Sequence, residues 1–106
     1  MPNFYKGVLS LAMEKYQNES CQLLFRAMLA LRTEQECAAF LEDLMTQKEI
    51  ADVAQRLLVA KMLSENSVYS EIVKKTGASS ATVSRVKRAM DIDREFFDKL
   101  LGKLNG

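Results

Sequence analysis

Tyr69-Ser70-Glu71-Ile72-Val73-Lys74-Lys75-Thr76-Gly77-Ala78-Ser79-Ser80-Ala81-Thr82-Val83-Ser84-Arg85-Val86-Lys87-Arg88 decides how this chain of 106 residues folds. It reads as two short helices around one glycine. Ser67 is placed to cap a first helix that reaches Thr76, because a serine hydroxyl can accept from a free N–H of the opening turn. Gly77-Ala78 breaks the pattern, and Gly77 takes a positive φ without steric cost. Ser79 can cap a second helix running to about Met90. Ile72 and Val73 of the first helix can meet Val83 and Val86 of the second, and Val83, Val86 and Met90 form a narrow inward stripe. The pattern is that of a helix-turn-helix.

This arrangement leaves Ser80, Ala81, Thr82, Ser84, Arg85, Lys87 and Arg88 facing outward. Small side chains at the start of the second helix permit close approach to base edges, and the free N–H groups there favour phosphate. Serine and threonine hydroxyls donate or accept, and the methyls of Ala81 and Thr82 suit a thymine methyl. Arg85, Lys87 and Arg88 can neutralise backbone phosphates. Charge distribution agrees with this reading although the net charge is only +1. Residues 69–90 carry five cations, Lys74 and Lys75 among them, against the single acid Glu71. Residues 33–66 carry seven acids against three cations. The expected DNA-contacting set is therefore Ser79, Ser80, Ala81, Thr82, Ser84, Arg85, Lys87, Arg88, Lys74 and Lys75.

The flanking sequence is helical throughout. Residues 1–20 read as an N-terminal arm or short helix ending in a break at Tyr16 to Ser20. Cys21, Leu24, Phe25 and Met28 then recur at helical spacing. Thr33 with Glu36 forms a capping box ahead of the stripe Cys37, Phe40, Leu41, Leu44, and Thr46 with Glu49 repeats it. The helix opened by the second box carries Ile50, Val53, Leu57 and Ala60 on one face. Ser64 to Ser67 is a loop. After a boundary at Asp91 to Asp93, Phe97, Leu100, Leu101 and Leu104 make a last amphipathic helix over 93–104. No strand signal, repeat or low-complexity run interrupts this pattern. The fold class is all-α in a single domain of 1–106, with 21–64 as dimerisation helices and 67–90 as the helix-turn-helix. The apolar stripes of 21–31 and 96–104 are wider than one small core needs, which favours a homodimer.

Composition narrows the chemistry. The chain has no His, two Cys, one Pro and four Gly. Without His it lacks the commonest general base and the commonest metal ligand, and two Cys alone make no zinc site. No nucleophile–base pair or Gly-rich phosphate loop can be named, so the expectation is no enzyme, no metal and no cofactor. Val8 to Met13 is too short for an export signal or a membrane span, so the chain is expected in the cytoplasm, with no membrane partner. Cys21 and Cys37 are then reduced thiols, and their places on apolar stripes predict burial.

Residues 46–90 also carry a resemblance. Gln55-Arg56, Val59-Ala60-Lys61-Met62-Leu63 and Thr76-Gly77-Ala78-Ser79-Ser80-Ala81-Thr82-Val83-Ser84-Arg85 resemble the tryptophan-repressor superfamily, in its YerC/YecD-type branch. The resemblance implies an intertwined, all-helical homodimer that binds a double-stranded DNA operator as a transcriptional regulator, a repressor by family. It aligns Ser79, Ser80, Ala81, Thr82 and Ser84 with the residues that approach DNA. It also aligns Arg56 and Arg85 with two arginines that hold the indole of a tryptophan co-repressor. Other co-repressor positions depart from the family. An apolar wall position matches Asp43, a hydroxyl matches Ala89 and a glycine matches Val86. The expectation is therefore DNA binding without tryptophan, with Arg56 in an intramolecular salt bridge, for instance to Asp52 one turn earlier, and Arg85 on phosphate.

A different function class stays open on the sequence. The helices could form a protein-interaction module that keeps the helix-turn-helix for packing alone. Large substitutions at Ser80 and Thr82 would then be tolerated, and salt would matter little. DNA binding instead predicts that Lys87→Ala or Arg88→Ala weakens binding to every sequence, while Thr82→Ala alters preference at one base position.

Overall fold

The computed structural model describes residues 12–104, and every regular element among them is an α-helix. After a helical stretch over 12–15 come α1 (Glu19–Ala30), α2 (Glu34–Leu44), α3 (Gln47–Ser64), α4 (Tyr69–Thr76), α5 (Ser80–Ile92) and α6 (Arg94–Leu104). The all-α expectation holds. Of the arm expected over 1–20, residues 1–11 lie outside the described residues. The chain divides between Thr46 and Gln47 into two compact units.

In the first unit, local hydrogen bonds set the helix starts. The Asn18 side chain accepts from the Cys21 N–H at 2.8 Å and from the Ser20 hydroxyl at 2.8 Å, which caps α1. Thr33 caps α2 by accepting from the Glu36 N–H at 3.1 Å. The return half of the capping box is displaced by one residue. Glu36 Oε1 accepts from the N–H of Arg32 at 2.7 Å, which satisfies one backbone donor ahead of the helix. Neither α1 nor α2 contains a buried residue.

The cysteines follow from that. Cys21 is half-buried and Cys37 exposed, against the expectation of burial. Both lie on apolar stripes as read, but among the described residues those stripes hold no buried residue.

In the second unit, α3, α4, α5 and α6 share one core of Val59, Ala60, Met62, Leu63, Ile72, Ala78, Val83, Met90 and Leu101. Val73, Val86 and Phe97 pack against it, so the four aliphatic residues expected to join the helix-turn-helix all contribute. On α3 the packing is confined to the C-terminal half. On the face read as Ile50, Val53, Leu57 and Ala60, Ala60 is buried while Val53 and Leu57 stay 51% and 46% exposed. The fully buried residues of α3 are Val59, Ala60, Met62 and Leu63, all in its last turns.

The joint between α3 and α4 also differs from expectation. Asn66 stands at φ +61°, its N–H bonds the Leu63 carbonyl at 3.0 Å, and the Ser67 N–H bonds the Met62 carbonyl at 3.0 Å. This is a Schellman closure of α3, with asparagine in the left-handed position. Ser67 is therefore used to end α3, and Val68 becomes the N-cap of α4 with no side-chain capping bond. At the far end Arg94 Nη2 donates to the Leu63 carbonyl at 3.3 Å, which ties the start of α6 to the end of α3.

Candidate nucleic-acid interface

The turn between α4 and α5 is fixed from three sides. Gly77 sits at φ +74°, and its N–H closes α4 onto the Val73 carbonyl at 2.9 Å. The Thr76 hydroxyl donates to the Ile72 carbonyl at 2.7 Å and accepts from the Ala78 N–H at 3.1 Å. From α3, Gln55 Nε2 donates to the Thr76 carbonyl at 3.1 Å. Ala78 is buried, so the turn is anchored in the core as well as bonded. Ser79 then caps α5, accepting from the Thr82 N–H at 3.1 Å while its hydroxyl donates to Thr82 Oγ1 at 3.1 Å.

The result is a helix N-terminus presented to solvent on a rigid support. Ser79, Ser80 and Ala81 are exposed there. Ser84 is half-buried on the following turn. Thr82 is also half-buried, bonded to Ser79, and lines a cavity together with Arg85. Lys74, Lys75, Arg85 and Arg88 are exposed, and among the described residues none of them makes an ion pair. Lys74 and Lys75 occupy the last turn of α4, where cations also complement the helix dipole.

Lys87 is different. Its Nζ donates to Asp91 Oδ2 at 2.8 Å one turn along α5. The bond to Asp91 raises the lysine above its ordinary value of 10.5, and the same bond holds the aspartate below 3.8. Arg94 adds a second contact to Asp91 at 3.4 Å and also pairs with Asp98 at 3.3 Å. Sequence reading had used Asp91 only as a helix boundary. The i, i+4 spacing to Lys87 was the signal that could have found the pair.

The two arginines singled out through the resemblance meet at one cavity of about 500 Å³. Arg56, Leu57 and Ala60 of α3, Thr82, Arg85, Val86, Ala89 and Met90 of α5, and Phe97 of α6 line it. Asp52 pairs with Lys48 at 3.0 Å, and the expected ion pair between Arg56 and Asp52 is not among those of the described residues. Two guanidinium groups over an apolar lining can hold an anion with an apolar body. No acid lines this cavity, Ala89 offers no hydroxyl, and Thr82 supplies the one side-chain hydroxyl of the lining. Phe97 reads in the sequence only as part of the apolar stripe of the last helix, and its place at this cavity has no signal there.

Among the described residues no cluster of His, Cys, Asp or Glu could hold a metal, and no helix is long and apolar enough to cross a membrane.

Comparison with known proteins agrees with this architecture. The family model for the Trp repressor protein matches residues 19–105. YerC, an uncharacterized protein of Bacillus subtilis, is 40% identical over 91 residues, which cover 86% of this chain and 88% of YerC. A crystal structure of a TrpR-like protein from Eubacterium eligens superposes with a TM-score of 0.81 at 39% identity, covering 87% of this chain and 95% of that one. A structure from Staphylococcus aureus, described as a candidate Trp repressor, gives 0.81 at 39% identity over 88% and 93% of the two chains. In sequence and in fold, the chain belongs to the Trp repressor family.

Proposed function

We propose that the protein is a homodimeric, sequence-specific DNA-binding transcriptional regulator, a repressor by family, that inserts the N-terminus of α5 into the major groove. One observation carries the reading: Ser79, Ser80 and Ala81 lie exposed on a braced helix start, beside the exposed cations Lys74, Lys75, Arg85 and Arg88. Such a start offers base-edge contacts through small side chains and phosphate contacts through backbone N–H groups. The cations supply the sequence-independent attraction. Ser84 belongs to the reading surface. Thr82 braces it through its bond to Ser79.

The dimer rests on apolar surface that the single chain leaves open. On α1, Leu23, Met28 and Leu29 are 61%, 55% and 85% exposed, and Leu44 of α2 is 64% exposed. A second copy is the occupant that family membership favours, and two-fold symmetry would set two α5 helices roughly 34–36 Å apart, one turn of DNA. The regulator would then act in the cytoplasm on a palindromic operator. DNA binding needs no tryptophan in this reading, since no acid lines the cavity at Arg56 and Arg85, and Val86 and Ala89 stand where the resemblance has a glycine and a hydroxyl.

Selection from a random duplex library at near-physiological salt, with and without tryptophan, tests these points together. The expected result is a palindrome with half-sites about one helical turn apart, unchanged by the amino acid. Absence of enrichment over bulk DNA would overturn the reading and leave a protein-docking surface. A motif that emerges only with tryptophan would overturn the co-repressor-free part.

A further inference from the structure

We propose that Asp91 masks Lys87, so that the lysine is withheld from sequence-independent phosphate binding and Asp91 tunes how strongly this protein favours its operator over bulk DNA. The inference rests on the DNA-binding reading above and adds a positioning residue to it. Lys87 belongs to α5, the proposed recognition helix, and its position by sequence is that of a phosphate contact. In the folded chain its ammonium is bonded to Asp91 at 2.8 Å. The other cations of this segment, Lys74, Lys75, Arg85 and Arg88, make no ion pair among the described residues.

Asp91 is itself held in place. Arg94 reaches it from the first turn of α6 at 3.4 Å, and Arg94 is anchored in turn by Asp98 and by the Leu63 carbonyl. The acid is therefore fixed beside Lys87 by a cation rooted outside α5. A carboxylate beside the lysine also repels an approaching phosphate, so the pair presents almost no net charge to DNA. Random-sequence binding depends on the number of phosphates neutralised, with about one unit of logarithmic salt slope for each contact. Removing one cation from that count lowers affinity for bulk DNA, whereas an operator complex gains most of its discrimination from base contacts at the N-terminus of α5.

The test is a double-mutant cycle on binding to a random-sequence duplex, read as the salt slope. Lys87→Ala is expected to leave the slope nearly unchanged, while Arg88→Ala makes it shallower by about one unit. Asp91→Asn is expected to steepen the slope by about one unit and to raise affinity at low salt several-fold. That gain must vanish when Lys87→Ala is added, because the freed lysine is its source. A gain that persists in the double variant would mean general charge repulsion and overturn the proposal. So would a loss in Lys87→Ala equal to that in Arg88→Ala. If Arg88→Ala has no effect and the wild type shows no salt-dependent affinity, the DNA-binding reading fails and takes this proposal with it.

Discussion

Gln55 reaches across 21 positions of sequence to donate its side-chain amide to the carbonyl of Thr76, at 3.1 Å. That carbonyl ends α4 and has no partner of its own within the helix, so the bond satisfies an otherwise orphaned acceptor. It also fixes the turn to α3. Gln55→Ala is expected to cost about 1 kcal/mol in urea unfolding, the net worth of one neutral, part-buried hydrogen bond. Backbone exchange at Gly77 and Ala78 should accelerate by more than that global loss. Uniform acceleration across α3 to α6 would show that the bond does not brace the turn.

Gly77 is required by its backbone angle rather than by crowding. A Cβ built there meets nothing nearer than Gln55 Nε2 at 3.9 Å, which is ordinary contact, yet φ is +74°. Gly77→Ala is therefore expected to destabilise by about 1–2 kcal/mol through left-handed strain. Gly77→Asn should lose distinctly less, since asparagine tolerates this region as Asn66 already does in the same chain. Equal losses for the two variants in thermal unfolding would contradict the argument.

Ser79 separates structure from function. As the N-cap of α5 it accepts from the Thr82 N–H, and Ser79→Ala should cost about 1 kcal/mol. Ser79→Asp keeps a capping acceptor and adds a charge that the helix N-terminus favours, so its stability should match or exceed the wild type. The same charge would face phosphate in the proposed complex. Ser79→Asp is thus expected to fold normally and to bind duplex DNA at least tenfold more weakly, in a fluorescence-anisotropy titration at fixed salt.

The elements that could be read in advance were those fixed by local chemistry. Thr33, Gly77 and Ser79 each act through neighbours within four residues, and spacing alone exposes them. Choices between equivalent local partners were not legible. Asp52 has Lys48 four residues before it and Arg56 four residues after, and spacing cannot decide which cation it takes. Ser67 could cap α4 or close α3, and Asn66 in the left-handed region settles it for α3. Periodicity likewise marks a face of α3 without saying which end of that face is covered, so Ala60 is buried while Val53 and Leu57 of the same face stay exposed. The meeting of Arg56 with Arg85 needs the crossing of α3 and α5, which no single-helix pattern contains.

The Lys87–Asp91 pair has a pH signature with two sides. Asp91 lies below 3.8 in the fold, chiefly through the bond from Lys87, so its stabilising share is present above 3.8 and is lost as pH falls through the lowered value. Lys87 lies above 10.5, so its share is present below 10.5 and is lost as pH rises through the raised value. Both groups are largely solvated, and the effect on global stability should be small. The local readout is sharper. A carboxyl-carbon NMR titration should put Asp91 below 3.8, and Lys87→Ala should move it back toward that value. An unchanged midpoint in the variant would transfer the cause to Arg94.

The dimer can be tested through a residue that looks dispensable. Leu29 is 85% exposed in the single chain, and a polar substitution at such a site normally changes stability by less than about 0.5 kcal/mol. If α1 packs against a second copy, Leu29→Glu instead buries a charge and strips apolar contact, with an expected loss of about 2 kcal/mol or more per site. The wild type should sediment as a dimer at micromolar concentration, with an unfolding midpoint that rises with protein concentration. Leu29→Glu should sediment as a monomer and show no such dependence. A monomeric wild type, or a variant as stable as its parent, would remove the two-fold geometry from the proposed operator complex.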